Sequence, residues 1–100
     1  KNIDPSWMGL PILISERFKE KKKRFINYLD KIGIETRPII SGNFANQPAA
    51  KLYELCKKNE KFENSQKVQE LGFLIGLHTK KISKSNLKLI HDAFFMIDQI

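Results

Sequence analysis

Residues 73–78 are Phe-Leu-Ile-Gly-Leu-His, a short apolar segment that contains one aromatic residue and no charge. An apolar run of this length, bounded by turn residues, is typical of a buried strand. Residues 8–14 and 34–40 are also rich in aliphatic side chains, and we expect strands there too. Pro11 and Pro38 lack the N–H group that a strand ladder needs, so both should lie at a sheet edge or a bulge.

The segments between these strands have the period of amphipathic helices. Residues 16–32 predict a helix with Ser15 as its N-cap and Gly33 just past its end. Shorter helices should begin at Pro48 and at a cap formed by Asn64 or Ser65, the second stopping at residue 72. Ser83 or Ser85 should cap the final helix. The predicted apolar stripes consist of Phe18, Phe25, Ile26, Leu29 and Ile32 in the first helix, and Leu87, Ile90, Phe94 and Ile97 in the last.

This order of elements, β-α-β-(α-α)-β-α, predicts an α+β fold in which a small sheet carries helices on one face. With 100 residues, 41% of them hydrophobic, the chain suffices for a single domain over residues 1–100. It has no apolar run long enough to span a membrane and no secretory signal, and its single cysteine fits a reducing compartment. We therefore expect a cytoplasmic protein with no membrane partner.

The net charge of +7 raises nucleic acid as a partner. The basic residues gather in two clusters, at residues 17–31 and at Lys80, Lys81, Lys84 and Lys88. A solvated helix back explains the first cluster and a solvated surface the second, so we expect no specific nucleic-acid binding. The alternative is a freestanding basic α+β module that binds RNA through its sheet. RNA-stacking sheets need exposed aromatics among basic residues, and the predicted strands lack them.

Residues 35–47 carry the polar groups that suggest a binding site. On a strand, Glu35 and Arg37 project to one face, and the guanidinium of Arg37 is a planar fork for carboxylate or phosphate. The following turn supplies Asn43 and Phe44, an amide and an aromatic, which together suit a small oxygen-rich ligand. An ordinary strand and turn with an Asx-type cap and one packed Phe explains the same residues. His78 at a strand end either faces a cleft or caps local backbone.

Recognised catalytic and metal motifs are absent from the sequence. There is no nucleophile elbow, Walker loop or dinucleotide fingerprint. Cys56, His78 and His91 do not have the spacing of zinc ligands, so we expect no metal site.

Four strings of residues resemble one family. Residues 5–11 (PSWMGLP), 33–38 (GIETRP), 42–48 (GNFANQP) and 72–78 (GFLIGLH) look like the C-terminal part of the DegT/DnrJ/EryC1/StrS family. Its members are pyridoxal-phosphate-dependent nucleotide-sugar aminotransferases with the aspartate-aminotransferase fold. The third string is most similar to the branch of hexose 3-dehydrases, which keep the cofactor as pyridoxamine 5'-phosphate. The resemblance extends over nearly the whole chain.

The resemblance implies the C-terminal small domain of a larger, homodimeric enzyme, and it implies that this domain is an antiparallel sheet with helices packed on one side. The N-terminal domain would hold pyridoxal 5'-phosphate or pyridoxamine 5'-phosphate and the catalytic lysine, or the histidine that replaces it in the dehydrases. The substrate would be a nucleotide-linked 4-keto-6-deoxyhexose of lipopolysaccharide or deoxysugar biosynthesis, either aminated or dehydrated. We expect no catalytic residue in this chain and no activity from it alone. Its implied substrate-binding residues are Arg37 for an anionic or hydroxyl group, Glu35, Asn43 and His78 for hexose hydroxyls, and Phe44 for the sugar face.

Overall fold

The computed structural model of the chain describes residues 2–57 and 59–100. Its sheet has three strands, β1 (Gly9–Leu13), β2 (Thr36–Arg37) and β3 (Gly72–Gly76), in the order β1-β3-β2. Both pairings are antiparallel, with Ile75 opposite Leu10 on one side and Thr36 on the other. The apolar segment predicted as a buried strand is thus the central one. The predicted α+β class with a small antiparallel sheet is confirmed.

The strand predicted over residues 34–40 is wrong in its length, because only Thr36 and Arg37 pair with β3. Before them, the N–H group of Ile34 donates to the carbonyl of Leu29 at the end of the preceding helix, over 2.9 Å. After them, Pro38 has no N–H group to donate, and the N–H group of Ile40 donates to the Pro38 carbonyl in a tight turn. Pro11 lies in the edge strand β1, as expected.

In the described residues, four α-helices and three short 3-10 segments complete the fold. The α-helices are α1 (Lys22–Lys31), α2 (Pro48–Leu52), α3 (Glu63–Leu71) and α4 (Lys84–Phe95). The 3-10 segments are Glu16–Lys21, Phe44–Asn46 and Met96–Asp98. Like those of the strands, most predicted helix positions are confirmed, with shifted ends.

The helix ends show which capping predictions hold. The Ser83 hydroxyl accepts a hydrogen bond from the N–H group of Asn86 over 3.2 Å, which confirms this cap. Ser15 lies at the cap position of the first 3-10 segment, but its side chain makes no capping hydrogen bond, so the cap predicted there is wrong. The cap of α3 is also wrong: Phe62 occupies that position, one turn before the predicted serine or asparagine.

The hydrophobic core lies on one side of the sheet, between the strands and helices α1 and α4. Phe25 and Leu29 of α1 and Phe73 of β3 are fully buried. The Phe25 ring packs edge-on against Phe94 of α4, with 5.5 Å between ring centroids, and also against Phe73. Leu87 is an exception among the predicted core residues of α4. It is half exposed in the first turn of the helix, while Ala93 and Ile97 are buried.

The opposite face of the sheet is more open. This face carries one residue from each strand at the same level of the sheet, namely Pro11, Leu74 and Arg37. Leu13, two residues after Pro11 on the same face of β1, is 58% exposed. The segment before β1 adds Trp7 and Met8, both exposed. The prediction that the helices pack on one face is therefore confirmed. None of the helices in the described parts of the chain has the length and hydropathy needed to cross a membrane.

Candidate functional site

Glu35 and Arg37 form an ion pair on the short strand β2. The guanidinium of Arg37 donates to the carboxylate of Glu35, and their side chains are 71% and 69% exposed. Thr36 between them turns the other way, where its hydroxyl donates to the carboxylate of Asp30 over 3.1 Å. The predicted alternation is therefore present. An ion pair this exposed contributes only about 0–1 kcal/mol to stability. The stability of the fold therefore does not explain why residue 37 is an arginine.

A cleft of about 470 Å³ opens between the end of α1, the end of β3 and the start of α4, and we call it the β3–α4 cleft. Ile34, Ile75 and Ile90 are among the apolar residues of its walls. Three polar residues, Glu35, His78 and Asn86, are among the lining residues as well. Apolar walls with a few polar groups are typical of a site for a small organic ligand. The structure thus brings Glu35 and His78, two of the predicted site residues, into one cleft.

His78 combines the two roles that the sequence left open. It lies two residues beyond β3, lines the β3–α4 cleft and is exposed. Its Nδ1 also accepts a hydrogen bond from the backbone N–H group of Lys80 over 3.2 Å. Since Nδ1 is the acceptor, the neutral imidazole carries its proton on Nε2. His78 therefore caps local backbone and is also one of the residues that line the cleft.

Asn43 is buried, with 6% of its surface exposed, and its hydrogen bonds are made within the chain. Its Oδ1 accepts from the N–H group of Ala45, and its Nδ2 donates to Oε1 of Gln66 over 3.0 Å. Its backbone N–H group donates to Oε1 of Gln69, also over 3.0 Å. This is the Asx-type cap that the sequence offered as the alternative. Contact of the Asn43 side chain with a sugar stays a prediction. In the structure this side chain is hydrogen-bonded to Ala45 and Gln66.

Gln66 and Gln69 of α3 hold the loop of residues 41–47, and sequence reasoning missed both. Asn46 also donates from Nδ2 to Oε1 of Gln66 over 2.9 Å, so two loop amides share one acceptor. We call this set of contacts the glutamine clamp. The only signal in the sequence was polar residues on a helix, which is what any solvated helix shows.

The glutamine clamp continues into an ion pair with the first 3-10 segment. Nε2 of Gln66 donates to Glu70 over 3.0 Å, and Lys19 donates to the same carboxylate over 2.7 Å. The hydrogen bond from Gln66, followed by that from Lys19, lowers the pKa of Glu70 below its ordinary value. Lys22 donates to the Gln69 carbonyl over 3.0 Å, and partial burial lowers the pKa of its ammonium. Lys22 thus lies within the apolar stripe of α1 with its charged end at a carbonyl.

Phe44 and Arg37 lie outside the lining of the β3–α4 cleft. Phe44 begins the 3-10 turn of the 41–47 loop and is 49% exposed. Arg37 reaches Glu35 through the ion pair, and it also lines a smaller cleft of about 220 Å³ beside Gly42. The five predicted residues therefore fall into two neighbouring groups. Glu35, Arg37 and His78 belong to the cleft and its rim, while Asn43 and Phe44 belong to the 41–47 loop.

The β3–α4 cleft does not fit a pyridoxal-phosphate site. No lysine lines the β3–α4 cleft, and Lys22, whose pKa is lowered, donates to a backbone carbonyl elsewhere. Nor do residues 2–57 and 59–100 contain a group of three His, Cys, Asp or Glu side chains that could hold a metal ion.

Three curated proteins are similar to the chain. It is 29% identical over 76 residues to the GDP-4-keto-6-deoxy-D-mannose 3-dehydratase of Escherichia coli O55:H7, and 26% identical over 82 residues to that of Yersinia pseudotuberculosis. It is 29% identical over 75 residues to the lipopolysaccharide biosynthesis protein RfbH of Salmonella typhimurium. These matches cover 75%, 81% and 75% of the chain, respectively. No protein-family model matches it, and no solved structure does.

The matches concern only part of each relative. The chain spans about a fifth of the length of the curated relatives, with coverage of 19%, 17% and 21%. Their names describe a sugar dehydratase and a protein of lipopolysaccharide biosynthesis. The chain is thus a distant relative of nucleotide-sugar enzymes, in agreement with the family that its four sequence strings resemble.

Proposed function

We propose that the chain is the C-terminal, substrate-side domain of a nucleotide-sugar enzyme of the DegT/DnrJ/EryC1/StrS family. The names of the relatives favour the dehydratase branch and a GDP-linked 4-keto-6-deoxyhexose, in lipopolysaccharide biosynthesis. The pyridoxal or pyridoxamine phosphate would be held by the N-terminal domain of a homodimeric, cytoplasmic enzyme. The role of this chain is to close one side of the sugar site.

The observation that carries the proposal is the meeting of Glu35 and His78 in the β3–α4 cleft. A hexose presents apolar ring carbons and several hydroxyls, which match apolar walls with a carboxylate acceptor and an imidazole donor. Arg37 is paired with Glu35 and can turn its remaining N–H groups to a ligand oxygen, because a guanidinium has five donors. Phe44 would pack on the sugar from the 41–47 loop, which Asn43 holds in shape.

The open face of the sheet supports the role as a domain of a larger enzyme. Leu13, Trp7 and Met8 are large, apolar and exposed on or beside that face. A cluster of exposed apolar residues commonly marks a surface that another protein element covers. The relatives have about four times the length of this chain, which is ample for the N-terminal domain that the proposal requires.

Arg37→Ala in the full-length enzyme tests the proposal. Loss of a charge-assisted contact to the substrate should lower kcat/KM by about 1.5–3 kcal/mol, or roughly ten- to a hundredfold. The melting temperature should change little, because the exposed ion pair contributes only about 0–1 kcal/mol. Arg37→Lys should restore part of the activity, since it keeps the charge and loses the fork.

The matched control is Arg24→Ala, which removes an exposed arginine from the polar side of α1. It should leave kcat/KM within about twofold of the original, as expected for a surface substitution far from a site. Unchanged kinetics for Arg37→Ala, together with a lowered melting temperature, would make Arg37 a structural residue and remove this support.

A further inference from the structure

Three lysines between β3 and the first turn of α4 have no acidic partner. Lys80, Lys81 and Lys84 are exposed, and the sequence has no carboxylate between Glu70 and Asp92. Asp92 itself is occupied by Lys88 over 3.0 Å and by His91 over 3.1 Å. Among residues 2–57 and 59–100, no ion pair involves any of the three lysines. Their positive charge is therefore not compensated locally.

These lysines border the β3–α4 cleft. His78 and Ile82 line the cleft, and Lys80 and Lys81 lie between them in the chain. Asn86, two residues after Lys84, lines it as well. The loop is held at its start by the hydrogen bond from the Lys80 N–H group to His78. We call Lys80, Lys81 and Lys84 the lysine rim.

The charges near the cleft favour an anion at the lysine rim and a neutral group inside the cleft. The one carboxylate among the cleft residues, that of Glu35, is neutralised by Arg37. The N-terminus of α4 is already capped by the Ser83 hydroxyl, so the attraction comes from the lysine side chains. Lysine ammonium groups bind phosphate as point charges. A ligand with a neutral, hydroxylated body and a phosphate group matches both features.

We propose that the lysine rim binds the diphosphate of a nucleotide-linked sugar whose hexose lies in the β3–α4 cleft. This inference rests on the proposed function, and it adds the surface that receives the charged part of the substrate. It also gives a use to the second basic cluster, which the sequence alone left as solvated surface. An RNA would meet the same lysines only through its phosphates, since the strands lack exposed aromatic residues for stacking bases.

The experiment is an NMR titration of the 100-residue chain with GDP, inorganic pyrophosphate and guanosine. GDP and pyrophosphate should shift the backbone amide signals of residues 78–86, while guanosine should leave them unchanged. The triple variant Lys80→Gln/Lys81→Gln/Lys84→Gln should weaken GDP binding by roughly tenfold or more, because it removes every charge of the rim.

The matched control is Lys23→Gln/Arg24→Gln/Lys51→Gln, which removes three exposed positive charges from α1 and α2, none of them next in the chain to a residue that lines the cleft. It should weaken GDP binding by less than about twofold at physiological salt, where distant surface charges are screened. Equal losses in the two triple variants would overturn the proposal, because net charge alone would explain the binding. The proposal would also be overturned if GDP shifted backbone amide signals outside residues 78–86 instead, or shifted no amide signal at all.

Two further outcomes separate this inference from the proposed function. If guanosine binds as well as GDP while Arg37→Ala still lowers kcat/KM in the full-length enzyme, the sugar-side role stands and the lysine rim is not its phosphate site. If a single-stranded RNA binds residues 78–86 more tightly than GDP and keeps its binding at physiological salt, the rim serves nucleic acid and the proposal is wrong.

Discussion

Replacing Gly42 by alanine tests the glutamine clamp that holds the 41–47 loop on α3. Gly42 has a φ of +58°, and a Cβ there would come within 2.7 Å of Cγ and 2.8 Å of Cβ of Gln69. The left-handed backbone alone costs alanine about 1–2 kcal/mol. Gln69 must also move, which breaks its hydrogen bond with the Asn43 N–H group. Leaving that buried group unpaired costs about 1–3 kcal/mol, for a total of about 2–5 kcal/mol.

Urea unfolding of the 100-residue chain measures this change, and Gly33→Ala is the matched control. Gly33 also has a positive φ, +85°, but no atom lies within 4 Å of the position of an added Cβ. Gly33→Ala should therefore lose only the backbone cost of about 1–2 kcal/mol. Gly42→Ala should exceed it by about 1–3 kcal/mol, and the Asn43 amide should lose its protection from hydrogen exchange. Equal losses for the two variants would refute the clamp.

Three further predictions concern the core, pH and the cofactor. Phe25→Ala should lower the free energy of unfolding by about 3–5 kcal/mol, whereas Phe95→Ala on the exposed side of α4 should change it by less than about 0.5 kcal/mol, both measured by urea unfolding. The pKa of Glu70 in the folded chain is below its ordinary value of 4.5, so the contribution of this carboxylate to stability is complete above pH 4.5 and is lost as the pH falls through the lower folded value. Glu70→Gln should flatten this part of the plot of unfolding free energy against pH. An unchanged plot would contradict the lowered pKa. Pyridoxal phosphate and borohydride should trap no single lysine of the isolated chain in stoichiometric yield, which mass spectrometry of the peptides would check.

The identity and order of the main elements could be predicted from the sequence, because they depend on local signals. The apolar run of β3, the period of α1 and the Ser83 cap are each signals within a short stretch of chain. The errors occurred where a local signal had a competitor. At Ser15 the backbone carbonyl accepts from the N–H group of Phe18 over 2.9 Å, while the hydroxyl makes no cap. The predicted strand around Glu35 is shortened because Pro38 cannot donate and Ile34 is already bonded to Leu29.

The contacts of the 41–47 loop could not be predicted in the same way. Asn43 meets Gln66 across 23 residues and Gln69 across 26. Glutamine on a helix has no sequence signature that distinguishes a clamp from solvated surface. Gly42 is the one local sign that the loop approaches α3 closely. A glycine accommodates both the positive φ and the contact with Gln69 at this position. A turn glycine is equally common without any such contact.

Glu35 and His78 line the same cleft because of the register of β2 against β3. Neither the composition nor the hydrophobic period of the sequence determines this register. Thr36 lies opposite Ile75 and Arg37 opposite Leu74. Because the strands are antiparallel, extending this register by one residue sets Glu35 opposite Gly76, two residues before His78. A shift of the register by one residue would set Glu35 opposite a different residue of β3 and exchange the faces of the Thr36 and Arg37 side chains. The site therefore depends on the shortest strand of the sheet, whose register is fixed on one side by Thr36 and Asp30 and on the other by the turn at Pro38.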